Sequence, residues 1–141
     1  SKICAYAQGF NLLEEAGKVY GWDLQMGRIA KIWRSGCIIR ARFLDTVSEI
    51  FEKENGMTNL LASGYFSQVL YGARAGWGRI ISLAVERGAA VPALSSALAY
   101  FDSYRTARGS ANLLQAQRDC FGAHTYERID KEGAFHTDWM N

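Results

Sequence analysis

Apolar residues along this chain recur every three or four positions, and nowhere do they alternate with polar ones over a useful length. That spacing suits α-helices and leaves a β-sheet nothing to be built from. In the opening segment, SKICAYAQGFNLLEEAGKVYGW, Ile3, Tyr6, Phe10, Leu13 and Gly17 form one stripe of a 3.6-residue period, and Gly21 stands where a left-handed residue would end the helix. Asp23 is placed to cap a second helix through Trp33, with Met26, Ile29, Ala30 and Trp33 inward. After Ser35-Gly36 a third would bury Ile39, Phe43, Val47 and Ile50 or Phe51. Asn55-Gly56 breaks the pattern, and MTNLLASGYF reads as a connector. A long helix is then expected from about Tyr65 to Arg87, stopped by Gly88, with Phe66, Val69, Leu70, Ala73, Trp77, Ile80, Ile81 and Ala84 on one face. Gly72, Gly76 and Gly78 oppose it, each by about 1 kcal/mol relative to Ala in a helix interior. Pro92 can open a further helix that turns Leu94, Ala97, Leu98 and Phe101 inward and ends near Arg105. Ser110 is a plausible cap for ANLLQAQRDCF, with Gly122 as its stop, and beyond Gly122 no period persists. The expected fold class is all-α: a domain of about six or seven helices over residues 1–122, followed by an extended tail over 123–141.

A chain of 141 residues is one ordinary domain, long enough to hold a real core. Sixteen Lys+Arg against fourteen Asp+Glu leave a net charge of +2, which projects no strong field toward nucleic acid or an anionic membrane. The best local candidate for nucleic acid is Arg28, Lys31, Arg34, Arg40 and Arg42, with no acid among them; a solvated face or partners for carboxylates elsewhere explains these cations better. Cys4, Cys37 and Cys120 are odd in number and lack C-x-x-C spacing, so buried free thiols in a reducing compartment are expected. Neither a leader nor a membrane-spanning run is evident, and the cytoplasm is the expected location. The first helix begins abruptly at Ser1, without initiator Met or capping lead-in, which suggests a cut inside a longer polypeptide.

No dinucleotide turn, phosphate loop, zinc helix or nucleophile elbow occurs. His124 and His136 lie twelve positions apart without cysteines or carboxylates at finger spacing, so no metal site is expected. Arg118 falls in the last turn of its helix, where a cation is favoured by the macrodipole, and His124 beyond Gly122 could bond the terminal carbonyls. The functional alternative is that the Arg118 guanidinium forks onto a phosphate while His124 supplies one more donor. From Gln115 to Asn141 there are three cations and five acids, so any phosphate is met by placed groups and not by a general positive field.

Three stretches, YAQGFNLLEEAGKVYGWDLQMGRIAKIWRSGCIIRARFL, PALSSALAYFDSYR and NLLQAQRDCFGAHTYERIDKEGAFHTDW, together resemble the carboxy-terminal part of the 6-phosphogluconate dehydrogenase family. The last stretch is the most specific. Cys120 stands where that family has a tyrosine, and Gly109-Ser110 where it has leucine and proline. The resemblance implies an NADP-dependent enzyme that decarboxylates 6-phosphogluconate to ribulose 5-phosphate in the pentose phosphate pathway. It further implies that the catalytic lysine and glutamate, and the domain that binds NADP, lie outside this chain, which alone would be inactive and bind no cofactor. Also implied is a homodimer in which the tail 123–141 reaches the partner subunit, where Arg118 and His124 hold the phosphorylated end of 6-phosphogluconate in the neighbouring site. A non-catalytic helical oligomerisation or binding module is the alternative, and neither nucleic acid nor membrane is an expected partner.

Overall fold

The computed structural model describes residues 1–54 and 56–140, so the Asn55 half of the expected Asn55-Gly56 break and the last residue of the tail lie outside the described residues. Six α-helices are described: α1 (Lys2–Tyr20), α2 (Met26–Arg34), α3 (Leu44–Lys53), α4 (Gly64–Glu86), α5 (Pro92–Tyr104) and α6 (Ala111–Gly122). The only strands among the described residues are β1 (Tyr126–Glu127) and β2 (Ala134–Phe135), paired antiparallel with Tyr126 opposite Phe135. The all-α expectation holds, and no described helix is long and apolar enough to cross a membrane. Contacts divide the chain into two compact units, Ser1–Phe101 and Asp102–Asn141.

In the first unit the opening stripe behaves as its period requires. Tyr6, Phe10 and Gly17 are buried, Cys4 and Ala7 join them from the same side, and α1 ends at Gly21 with φ 68°. The Phe10 ring packs against Trp33 and Phe51 at centroid distances of 4.8 and 5.1 Å, while Tyr6 meets Phe43 edge-on at 5.1 Å. These rings join α1 to α2 and α3. Within that pair, the Ser48 hydroxyl donates to the Gly27 carbonyl at 3.0 Å, satisfying a buried polar group on each side. Leu44, Val47, Leu60, Phe66 and Leu70 complete the centre of the core.

Several local expectations are corrected. Asp23 does not cap α2: Gln25 occupies the cap position, and the Asp23 carboxylate instead accepts from the Gln25 amide at 2.8 Å. The third helix starts only at Leu44, because residues 37–43 form turns; Ile38 is 99% exposed and Ile39 is not buried. The connector before α4 contains a single 3₁₀ turn, Leu60–Ala62, which the Asn59 side chain caps by accepting from Leu61 N–H. Ser63 then caps α4 by accepting from Phe66 N–H. The three helix-interior glycines do not break α4, which runs for 23 residues. Its expected inner face is only partly buried, with Phe66, Leu70 and Trp77 enclosed but Val69 and Ile80 exposed. Trp77 anchors α5 by donating its indole N–H to the Leu94 carbonyl at 3.2 Å. Of the three thiols only Cys4 is buried; Cys37 is half-buried and Cys120 exposed, because Cys120 lies on α6 beside the fully buried Asp119 and points the other way.

Candidate functional site

The second unit is built on α6. Ser110 occupies its cap position without a capping side-chain bond. At the other end Gly122 is still helical, and the left-handed residue is Ala123 with φ 49° and ψ 39°, whose N–H closes onto the Asp119 carbonyl. The stop is therefore one residue later than expected and is not made by glycine. Gly122 serves a different need: a Cβ placed there would fall 2.8 Å from Cδ2 and Nε2 of His124. The missing side chain lets the imidazole fold back over the helix end, where it meets Phe121 edge-on with centroids 6.0 Å apart.

Two residues after Ala123, Thr125 also has positive φ, 58°. A β-branched residue in that region is an outlier whose strain must be held by its surroundings. Both of its backbone groups are held: the N–H donates to Asp119 Oδ1 at 2.9 Å, and the carbonyl accepts from Gln115 Nε2 at 2.5 Å.

Asp119 organises everything that follows. Its carboxylate is fully buried and accepts from Thr125 N–H and His136 Nδ1–H at 2.9 Å each on Oδ1, and from Thr137 N–H at 3.0 Å and Trp139 Nε1–H at 2.9 Å on Oδ2. Burial alone would push this carboxyl up, but the Thr137, His136 and Trp139 donors outweigh it and hold the group well below the usual carboxylate range. The tail after α6 is thus folded back onto its own helix through one charge. Tyr126 OH adds a 2.7 Å bond to Thr137 Oγ1, and Arg128 forks onto Asp130 at 2.9 and 2.7 Å while lying over the Phe135 ring.

Arg118 and His124 are both exposed at the C-terminal end of α6, and no hydrogen bond joins them. Arg118 Nη1 donates to Gln115 Oε1 at 3.2 Å, its one hydrogen bond among the described residues. A cleft of about 470 Å³ in the same unit is lined by Arg108, Gln115, Tyr126, Arg128 and Trp139 among others; neither Arg118 nor His124 lines it. Sequence reasoning missed Gln115, Asp119 and Thr125. The i, i+3 spacing of Gln115 and Arg118 is a legible signal, but the bonds to Thr125 depend on how the chain returns after α6.

The basic stretch of the first unit is partly neutralised, Lys31 by Glu52 at 2.6 Å and Arg34 by Asp45 at 2.8 Å. Among the described residues no group of three or more His, Cys, Asp or Glu is arranged to hold a metal. Two-residue strands and the absence of a glycine-rich strand-to-helix turn give the described residues no cradle for a dinucleotide.

Residues 1–139 match the family described as 6-phosphogluconate dehydrogenase, C-terminal domain. The chain is 56% identical over 140 residues to the NADP(+)-dependent, decarboxylating 6-phosphogluconate dehydrogenase of Bacillus subtilis, covering 99% of this chain and 30% of that protein. It is 50% identical to decarboxylating 6-phosphogluconate dehydrogenase 1 of Oryza sativa, covering 99% of this chain and 29% of that one. The fold is similar to that of Plasmodium falciparum 6-phosphogluconate dehydrogenase, a structure described in its apo form, with its cofactor NADP+ and with its substrate 6-phosphogluconate. There the TM-score is 0.89 and the identity 39%, over 97% of this chain and 29% of that chain. The chain thus spans about 30% of the length of the curated relatives it matches.

Proposed function

The chain belongs to the 6-phosphogluconate dehydrogenase C-terminal domain family, and on that premise we propose that it is the carboxy-terminal part of an NADP-dependent, decarboxylating 6-phosphogluconate dehydrogenase. Its task in that enzyme is to supply dimer contacts and two groups that bind the substrate's phosphate. The observation that carries this reading is the match over residues 1–139, a range that includes Arg118 and His124.

In this reading, residues 1–122 form the helical domain and 123–141 the tail, which meets the partner subunit together with the end of α6 onto which it is folded. Arg118 and His124 are exposed at the end of α6, as groups that serve a neighbouring site must be. A phosphate dianion takes charge-assisted donors, and a guanidinium offers several in a planar fork. Binding energy from the phosphorylated end of 6-phosphogluconate then holds the distant carbon where hydride leaves. NADP in this reading belongs to a separate nucleotide-binding domain outside this chain. The homodimer in this reading covers exposed Leu113, Leu114, Phe121 and Ile129 of the second unit, apolar side chains that gain by leaving water. Neither nucleic acid nor membrane is a partner in this reading, and the unpaired thiols of Cys37 and Cys120 suit the reducing cytoplasm.

Steady-state kinetics of the full-length enzyme tests the assignment. Arg118→Ala is expected to raise KM for 6-phosphogluconate by about tenfold to a hundredfold, the weight of a hydrogen bond to a charged group. An unchanged KM overturns it.

A further inference from the structure

We propose that Gln115 is a positioning residue for this phosphate-binding end, tying the Arg118 guanidinium to the turn that carries His124. The inference rests on the phosphate-binding reading of Arg118 and His124 given above, and adds what sets their relation to one another.

Gln115 lies one helical turn before Arg118 on α6 and uses both ends of its amide. Oε1 accepts from Arg118 Nη1 at 3.2 Å, and Nε2 donates to the Thr125 carbonyl at 2.5 Å. A primary amide can do both at once; a glutamate in its place could only accept, and a lysine could only donate. The Thr125 carbonyl is a consequential anchor, because Thr125 immediately follows His124 and holds a left-handed conformation that a β-branched residue resists. Asp119, four residues after Gln115 and on the same helix face, restrains the other half of Thr125 through its N–H. The two side chains thus hold the peptide units on either side of Thr125. On the other side of His124, Gly122 leaves the space its ring fills.

The quality of the Arg118 contact also fits positioning. A single 3.2 Å bond to a neutral acceptor fixes the direction of the guanidinium without neutralising it, and the remaining N–H donors stay available to an anion. A carboxylate at position 115 would pair with Arg118 and compete with the phosphate. An apolar residue would leave both Arg118 and the His124 turn to move independently.

The test is kinetic, on the full-length enzyme, with Gln115→Leu, Gln115→Glu, Arg118→Ala and the double variant Gln115→Leu/Arg118→Ala. Gln115→Leu is expected to raise KM for 6-phosphogluconate about fivefold to tenfold, with kcat changed less than about twofold, because only the remote end of the substrate is affected. Gln115→Glu is expected to raise KM further, through its charge. In the Arg118→Ala background the effect of Gln115→Leu should shrink to about twofold to threefold, the part that acts through the His124 turn, since contacting residues do not act additively. A general loss of structure would lower kcat and persist undiminished in that background, and either result overturns the proposal. If Gln115→Leu fails to fold, the isosteric Gln115→Glu decides: an unchanged KM overturns the proposal. If Arg118→Ala raises KM while Gln115→Leu does not, this inference alone falls. If Arg118→Ala leaves KM unchanged, the phosphate reading falls and takes this inference with it.

Discussion

Asp119 concentrates more of the second unit's structure than any other residue, since donors from Thr125, His136, Thr137 and Trp139 all end on its carboxylate. Its pH behaviour follows from the sign of its shift. Burial would raise the carboxyl's pKa, but the donors outweigh burial and lower it, so the folded form binds a proton less readily than the unfolded chain. The stabilisation is therefore complete above the unfolded value, about pH 4, and is lost as the pH falls below that toward the folded value. The Trp139 indole N–H, bonded to Oδ2, reports it directly. Its NMR signal should hold steady from about pH 7 through 4 and move toward a solvent-exposed position only well below that, where the folded-state carboxyl takes up its proton, whereas in Asp119→Asn it should show no such transition. A signal that titrates with the same midpoint in both proteins would locate the switch elsewhere. Nothing in the sequence separates Asp119 from Asp130 or Asp138, since all three are acids in a charged segment. Burial distinguishes Asp119, and burial depends on the return of the chain.

At the scale of single elements, helix existence was legible and helix ends were less so. The stripe of α1 and its Gly21 terminus follow from period and backbone freedom, both local properties. The ends of α2, α3 and α6 differ from expectation: the Asp23 side chain bonds Gln25, Ile38 and Ile39 stay outside the helix in exposed turns, and Ala123 takes the left-handed position with its N–H on the Asp119 carbonyl. α4 is the sharpest case, continuous through Gly72, Gly76 and Gly78 although each opposes it. A Cβ at Gly72 would meet nothing within 4 Å, so Gly72→Ala should stabilise the chain by about 0.5 to 1 kcal/mol in thermal denaturation. At Gly78 the added carbon would approach Arg74 Nη1 at 2.9 Å, and Gly78→Ala should gain less. Equal gains at both positions would show that the Arg74 side chain yields freely.

For the whole molecule, the family match and the described elements agree on a helical C-terminal domain. The chain alone, mixed with NADP and 6-phosphogluconate, is expected to produce no reduced cofactor by absorbance; turnover by the pure chain would contradict the division of labour proposed above. Large apolar residues such as Leu12, Val19 and Val85 lie exposed on its helices, surfaces that a longer polypeptide or a second copy would cover. The sequence by itself determined the helical class, the inward stripe of α1 and the family, because a helical period is local and a long mixed string such as QAQRDCFGAHTYERIDKEGAFHTDW carries family identity wherever it folds. Only the tertiary structure decided that Gln115 joins Arg118 to the His124 turn, that Gly122 makes room for the imidazole, and that Asp119 draws the tail back onto α6. The bonds of Gln115 and Asp119 to Thr125 and of Asp119 to His136, Thr137 and Trp139 join residues that the chain must reverse direction to bring together, so no local period or spacing encodes them.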